Sequence, residues 1–202
     1  MKILCLHNND CAKELFHWLR DEGHDIVLCS EQLNPDWCRK QKFELAVSYT
    51  YRFILTDEHI MALNHNVVNL HNSLLPWNRG ADPNLWSIIE NTPRGVTLHY
   101  VDSSLDKGYI IMQSLVTDAV TNDCKTLASS YNCLDQAAKR MFKEAFQCYE
   151  FWPSMKKKAI GKGSYHSLKE GYLIKKVIDS YDITINEFRN RIIALNQDRR
   201  IL

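Results

Sequence analysis

The chain has 202 residues with 45% apolar content, which is enough to bury one substantial hydrophobic core. Its 25 basic and 24 acidic residues nearly cancel, so the composition argues against a nucleic-acid-binding surface. No apolar run approaches the roughly 18 residues of a membrane span, and the N-terminal MKILCLHNND lacks a signal-peptide pattern.

The first part of the chain alternates short apolar runs with helical patterns. Strands are predicted at Lys2–His7, Asp25–Cys29, Phe43–Tyr49 and Val67–Leu70. Helices are predicted at Cys11–Asp21, from Asn34-Pro35-Asp36 onwards, and from Thr56 to about Leu63. This βαβ rhythm predicts an α/β fold with a Rossmann-like, largely parallel sheet and helices on both faces.

The rest of the chain adds a loop, a strand pair and two further helices. A loop is predicted at Asn72–Asp82, a helix from Pro83 to about Glu90, a hairpin-like pair at Gly95–Val101 and Tyr109–Thr117, and helices at Lys125–Gln147 and Ile183–Leu195. The tract Gly161–His166 reads as mobile loop. These elements predict a main domain at residues 1–150 and a C-terminal extension at residues 151–202 that packs on the same domain.

Seven cysteines form no CxxC pair, and their odd number leaves at least one unpaired. We therefore expect free thiols and a cytoplasmic, reducing setting. No metal is expected, because zinc would need ligands gathered from distant segments.

The first strand-to-helix turn, HNNDC, contains no glycine. A common dinucleotide-binding fold needs GxGxxG there so that a pyrophosphate can approach the backbone, which argues against a nicotinamide or flavin cofactor. Asn8, Asn9 and Asp10 fit the role of helix caps better than that of ligand-binding residues.

The fourth strand carries the strongest chemical signal. Asn69 and His71 stand two residues apart, so their side chains project from one face of a strand. An amide donor beside a titratable ring suits a reaction in which one atom gains negative charge while another loses a proton. Asp106 lies in the loop of the predicted hairpin and could reach the end of this strand. His99 reads as a structural strand residue.

The two stretches NLHNSLLPWNRGADPNLWS and GVTLHYVDSSLDKGYIIMQ resemble the folate-dependent formyltransferase family. The family pattern is N-x-H-x-S-L-L-P, an R-G turn and then D-x-x-x-D-x-G. The segment PWNRGADPNLWS most resembles the nucleotide-sugar N-formyltransferases. The resemblance implies transfer of formyl from N10-formyltetrahydrofolate to a nucleotide-linked amino-deoxy sugar, dTDP-4-amino-4,6-dideoxyhexose in the first instance, for surface-polysaccharide synthesis.

The resemblance also assigns roles by position. The catalytic triad falls on Asn69, His71 and Asp106, with residues 1–150 as the formyltransferase domain. Four residues are expected to bind the cofactor and four the acceptor: Tyr51, Phe53, Ile54 and Asp102 for the first, and Arg52, Trp77, Asn78 and Arg79 for the second. A homodimer is expected by analogy, without nucleic acid or membrane partners.

Three alternatives follow from the same resemblance. The enzyme acting on initiator methionyl-tRNA carries an added C-terminal domain for which this chain ends too soon. The glycinamide ribonucleotide formyltransferase of purine synthesis is the runner-up, although its glycine-rich phosphate loop has no match in HNNDC. A catalytically silent folate- or nucleotide-binding module would lack a triad member, and all three are present.

Overall fold

The computed structural model describes residues 1–116 and 124–197. Its strands are β1 Lys2–Leu6, β2 Asp25–Cys29, β3 Leu45–Tyr49, β4 Val67–His71, β5 Arg79–Gly80, β6 Gly95–Tyr100, β7 Ile110–Leu115 and β8 Tyr165–His166. Its helices are α1 Cys11–Asp21, α2 Pro35–Gln41, α3 Asp57–Ala62, α4 Pro83–Ile89, α5 Leu127–Phe146, α6 Trp152–Met155, α7 Leu168–Lys175 and α8 Ile185–Gln197.

Six strands form one sheet in the order β2-β1-β3-β4-β6-β7. The first four strands of the chain are parallel, and β6 runs antiparallel to β4. The predicted largely parallel α/β sheet with helices around it is therefore confirmed. Parallel strands need crossover helices, and α1, α2 and α3 are those crossovers.

The predicted elements agree with the observed ones to within two residues at each end. The Asn34 side chain accepts a hydrogen bond from Trp37 N at 3.0 Å, as its capping position predicts. Thr117, at the end of the predicted strand Tyr109–Thr117, lies outside the described residues. Five short elements of the described residues were not predicted, namely β5, β8, the 3₁₀ helix Tyr149–Phe151, α6 and α7. Of these, β5 lies within the stretch predicted as a loop.

One compact unit consists of Met1–His71, Thr97–Met112 and Met141–Ala159. Its strands contribute apolar side chains to a core beneath α2 and α3, made of Leu4, Leu6, Leu33, Cys38, Phe43, Ala46, Leu55, Ile60, Ala62, Leu63 and Val67. Each fully buried Leu or Ile side chain stabilises the fold by about 1.5–3 kcal/mol. The large aromatic residues Phe16, Phe142 and Trp152 are also fully buried in this unit.

A second compact unit consists of Asn72–Val96, Gln113–Arg140 and Ile160–Leu202. Its core brings α4 together with α7, α8 and the start of α5. Within it β5 pairs with β8 in parallel, and the His166 ring stacks on Trp86 with centroids 3.8 Å apart. The expectation of a mobile loop is wrong for Tyr165 and His166, which form β8. The domain boundary at residue 150 stays a prediction.

The cysteines are not all free thiols. Cys124 and Cys133 form a disulfide with their Cα atoms 6.6 Å apart, so the expectation of free thiols is wrong for this pair. The other five cysteines, Cys5, Cys11, Cys29, Cys38 and Cys148, are not part of a disulfide. Among the helices of the described ranges, none has the length and apolar content required to cross a bilayer.

Candidate active site

Two predicted triad members share the end of β4. Asn69 is half-buried and His71 is buried, two residues further along the strand. The antiparallel register with β6 sets Asn69 opposite His99 and His71 opposite Thr97. Directly opposed residues on neighbouring strands project to the same face of a sheet, so His99 joins Asn69 and His71 on one surface.

The third member, Asp106, comes from the loop between β6 and β7. Its backbone is left-handed with φ 53°, which is uncommon outside glycine. Its Oδ2 lies 3.7 Å from His71 Nδ1, and both side chains are at least nine-tenths buried. The loop is tightly closed at Gly108, where an added Cβ would sit 1.7 Å from Tyr100 O. The structure therefore brings the three predicted residues together within one unit.

His99 is the site residue that the sequence gives no reason to single out. It is 2% exposed, its Nε2 lies 3.3 Å from Asn69 Nδ2, and the same Nε2 lies 3.6 Å from Asp106 Oδ1. Its ring meets the His71 ring edge-on, with centroids 6.3 Å apart. The only available signal was register, because the antiparallel return of β6 past β4 puts this residue opposite Asn69.

Burial makes His99 a source of pH-dependent stability. Loss of hydration lowers the pKa of His99, and the Asp106 carboxylate opposes that shift more weakly. Below about pH 6.5 an unfolded histidine takes up a proton, whereas the folded ring does not until a lower pH. The folded state therefore loses stability as the pH falls through that window, by up to about 1.4 kcal/mol per pH unit for this group.

We expect the free energy of unfolding to fall less steeply for His99→Gln than for the wild type as the pH drops from about 8 to about 5. Burial also lowers the pKa values of His7 and His24, so the His99→Gln variant keeps part of the pH dependence. The difference between the two slopes is then the contribution of His99. Urea denaturation across this range measures both curves. Parallel curves would contradict the prediction.

Three of the residues predicted to bind the folate cofactor, Tyr51, Phe53 and Ile54, follow β3 in the same unit. The Tyr51 hydroxyl donates to Glu31 O at 2.6 Å and accepts from Leu33 N at 3.2 Å, and burial raises the pKa of Tyr51 to about 12. The Phe53 ring lies 5.3 Å from the Tyr51 ring, and Ile54 is 71% exposed. The Tyr51 hydroxyl is thus hydrogen-bonded within the protein, while Phe53 and Ile54 expose apolar surface that a ligand could contact.

Arg52 is held by its backbone and leaves its side chain exposed. Its backbone N–H donates to Asn8 Oδ1 at 2.9 Å, and Asn8 Nδ2 donates to Ser30 O at 2.7 Å. The guanidinium lies 4.8 Å from the centroid of Phe53. Asn9 Oδ1 accepts from Cys11 N, at the first residue of α1, at 3.0 Å. The N-cap itself is Asp10, whose side chain makes no capping hydrogen bond. The predicted capping role is therefore wrong for Asn8, whose side chain bonds Arg52 N and Ser30 O instead.

The two aspartates of the β6–β7 loop have different surroundings. Asp102 is exposed, and its Oδ1 accepts from Ser104 N at 2.9 Å. It lines a cleft of about 1220 Å³ together with Tyr100, Tyr109 and Tyr149. Of the residues that the structure describes, this lining includes neither Asn69 nor His71 nor Asp106. The cofactor-binding role of Asp102 stays a prediction.

In the second unit, Ser164 of the C-terminal extension bonds two of the predicted acceptor residues, Asn78 and Arg79. Asn78 is fully buried, with its Nδ2 donating to Thr92 Oγ1 at 2.7 Å and its Oδ1 accepting from Ser164 Oγ at 3.1 Å. Both Arg79 N and Arg79 Nε donate to Ser164 O, at 3.1 and 3.3 Å. Trp77 is 38% exposed. Asn78 therefore shapes the loop, while Trp77 and Arg79 reach its surface.

The described ranges contain no group of three or more His, Cys, Asp or Glu residues that could hold a metal ion. The expected absence of a metal stays a prediction. The chemistry available at this site consists of an amide donor, an imidazole and a carboxylate within one buried cluster.

Comparison with known proteins gives these residues a context. Residues 29–145 match the Formyl transferase family. A solved formyltransferase, PseJ from Anoxybacillus kamchatkensis, is 32% identical, covers 93% of this chain and 97% of its own, and superposes with a TM-score of 0.81. That structure is a complex with UDP-4,6-dideoxy-4-formamido-L-AltNAc and tetrahydrofolate.

Two further matches have either lower identity or lower coverage. A 4-N formyltransferase from Francisella tularensis is 18% identical with a TM-score of 0.70, covering 93% of this chain and 85% of its own. A methionyl-tRNA formyltransferase from Thermodesulfovibrio yellowstonii is 36% identical over 86 residues, which is 42% of this chain. This match spans only 28% of that relative's length.

Proposed function

Because the chain belongs to the formyl transferase family, we propose that it moves a formyl group from N10-formyltetrahydrofolate to the amine of a nucleotide-linked amino-deoxy sugar. The observation that carries this proposal is the convergence of Asn69, His71 and Asp106 in one buried cluster, with 3.7 Å between His71 Nδ1 and Asp106 Oδ2. The folate part is supported by the tetrahydrofolate bound to PseJ.

The three side chains have complementary roles in this reaction. The amine nitrogen attacks the formyl carbon, and its new C–N bond pushes electrons onto the formyl oxygen. Asn69 donates an N–H to that oxygen as it becomes negative. His71 takes the proton that the attacking nitrogen loses, and the Asp106 carboxylate orients the ring. The negative oxygen then re-forms the C=O bond while the bond between the formyl carbon and N10 breaks. N10 takes up a proton, and tetrahydrofolate is released.

The acceptor is proposed to carry its amine at C4 of a 4,6-dideoxy sugar. A nitrogen at C4 of a 4,6-dideoxy sugar is common to the dTDP-linked sugar expected from the sequence and to the UDP-linked 4-formamido sugar in complex with PseJ. The identity of the base, dTDP in the sequence-based prediction, stays a prediction. Surface-polysaccharide synthesis, a cytoplasmic location and a homodimer likewise remain predictions.

Acceptor screening tests the function directly. The protein is incubated with N10-formyltetrahydrofolate and a panel containing UDP- and dTDP-linked 4-amino-4,6-dideoxy sugars, glycinamide ribonucleotide and methionyl-tRNA. We expect tetrahydrofolate release with a nucleotide sugar. Release with glycinamide ribonucleotide alone, or with methionyl-tRNA alone, would reassign the acceptor.

Tyr51, Phe53, Ile54 and Asp102 are proposed for the folate, and Arg52, Trp77 and Arg79 for the acceptor. Asn78 is proposed to support the loop and not to contact the ligand, since its side chain is buried and hydrogen-bonded to Thr92 and Ser164. Arg79 has the features of an anion-binding residue. Its Nε is anchored to Ser164 O, and within the described part of the chain no acceptor pairs with its two outer nitrogens.

We expect Arg79→Lys to raise the KM for the nucleotide sugar about tenfold while kcat stays near the wild-type value. A guanidinium with its Nε fixed presents two parallel N–H groups to a diphosphate, and an ammonium cannot reproduce that fork. Steady-state kinetics with varied acceptor measures the effect, and Lys162→Ala serves as a control for loss of nearby positive charge. An unchanged KM in Arg79→Lys would remove Arg79 from the acceptor site.

A further inference from the structure

The two nitrogens of His99 have different hydrogen-bonding partners. Nδ1 lies 2.8 Å from Tyr100 O, a carbonyl oxygen that can only accept, so Nδ1 carries a proton. In a neutral imidazole the other nitrogen is then an acceptor. The group beside Nε2 at 3.3 Å is Asn69 Nδ2, which can only donate. Both contacts agree on one tautomer.

The surroundings of the ring favour this neutral form. His99 is 2% exposed, and burial disfavours the imidazolium. Two titratable groups lie beside the ring: His71, whose ring centroid is 6.3 Å away, and Asp106, whose Oδ1 is 3.6 Å from Nε2. The exposed Asp102 carboxylate acts on the ring more weakly. A protonated Nε2 would donate to the Asp106 carboxylate, and the Asn69 amide would have to face the ring with its oxygen in place of its NH₂ group.

We infer that His99 is a positioning residue, which fixes the orientation of the Asn69 amide by accepting one of its two N–H groups. The second N–H then points away from His99 and is the one available to the developing oxyanion. This inference rests on the proposed function for its kinetic consequence, but the tautomer itself is independent of any activity.

The inference explains how an asparagine can be a reliable donor. A free carboxamide can rotate by half a turn about its last bond, which exchanges oxygen and nitrogen at almost no steric cost. Within the described residues, the His99 contact is the hydrogen bond that distinguishes the two ends of the Asn69 amide. Losing the single hydrogen bond that discriminates between orientations corresponds to about a tenfold effect.

The tautomer can be observed without substrate. Long-range ¹H–¹⁵N correlation spectra of the wild type are expected to show His99 protonated on Nδ1 and unprotonated on Nε2 at neutral pH. A ring protonated on Nε2, whether neutral or cationic, would overturn the inference. This result holds or fails whatever reaction the protein catalyses.

A double-mutant cycle tests the positioning role. His99→Phe keeps a ring of similar size and is expected to lower kcat about tenfold, with the KM for N10-formyltetrahydrofolate within about twofold of wild type. In the Asn69→Ala background, single-turnover kinetics should show no further loss beyond about twofold from His99→Phe. A tenfold loss in both backgrounds would show that His99 acts independently of Asn69, and wild-type kcat in His99→Phe would also overturn the inference.

Two controls separate positioning from stability. Leu98→Val removes a methylene from the neighbouring buried position on β6 and is expected to lower stability while leaving kcat unchanged. His99→Gln replaces His99→Phe if the latter does not fold, because a Gln carbonyl can accept from Asn69. We expect it to lose less activity than Asn69→Ala, and any loss it shows should vanish in the Asn69→Ala background. A loss that persists there overturns the inference.

Discussion

Asn69→Ala is expected to lower the rate of formyl transfer by about 100- to 1000-fold. The formyl oxygen gains a negative charge as the carbon becomes tetrahedral, and the Asn69 amide is the donor that the cluster offers to it. Removing a preorganised donor from a water-poor site raises the barrier more than the same change would in water, since no solvent dipole is already aligned to replace it.

The measurement is kcat with saturating folate and acceptor. Asn132→Ala, an exposed asparagine on α5, is the matched control and should keep wild-type activity. The KM values should move little, because the lost interaction belongs to the transition state. Activity within about threefold of wild type in Asn69→Ala would remove this residue from the mechanism.

His71→Ala is expected to lower kcat by about 100- to 10,000-fold, the range for loss of a positioned general base. The amine must lose its proton during or after attack, and His71 is the titratable ring at the end of β4. Asp106→Asn should lower kcat in the same direction, because the amide has no charge with which to hold an imidazolium 3.7 Å away.

The combination of the two changes is the more informative result. If His71 and Asp106 act as a unit, the double variant His71→Ala/Asp106→Asn should be no slower than His71→Ala alone. His65→Ala, which alters an exposed histidine, is the control and should retain full activity. If the fold-losses in kcat of the two single variants multiplied in the double variant, Asp106 would contribute by a route other than His71.

The reaction would therefore depend on four side chains of one unit, three of them expected from the motif and one revealed by the sheet. Asn69, His71 and Asp106 supply the chemistry, and His99 supplies the orientation of the first. This division also separates the expected magnitudes, because a group that contacts the reacting atoms affects the rate more than a group that acts through another.

Much of the fold could be predicted because its signals are local. Strands β1 to β4 are short apolar runs, Asn34 carries a cap signal, and Pro83 lies at the first position of its helix. The alternation of strand side chains likewise places Asn69 and His71 on one face without knowledge of any distant contact. The turn HNNDC contains no glycine, and this local feature was enough to argue against a dinucleotide cofactor.

Strand β8 and the disulfide could not be predicted because neither has a local sequence signal. Strand β8 has only two residues, which carry no periodicity, and it exists because Tyr165 and His166 pair with Arg79 and Gly80. The Cys124–Cys133 disulfide depends on how closely two Cα atoms approach, and the spacing of cysteines in a sequence does not encode that distance.

By itself, the sequence determined the class of fold, the family and three of the four residues in the cluster, since strand alternation, caps and motif wording are properties of neighbouring residues. Only the tertiary structure decided that His99 belongs with them, that the buried Asn78 side chain bonds Thr92 and Ser164, and that Asp106 and Asp102 have different surroundings. Those facts depend on strand register and loop closure, which arise from contacts between residues far apart in the chain.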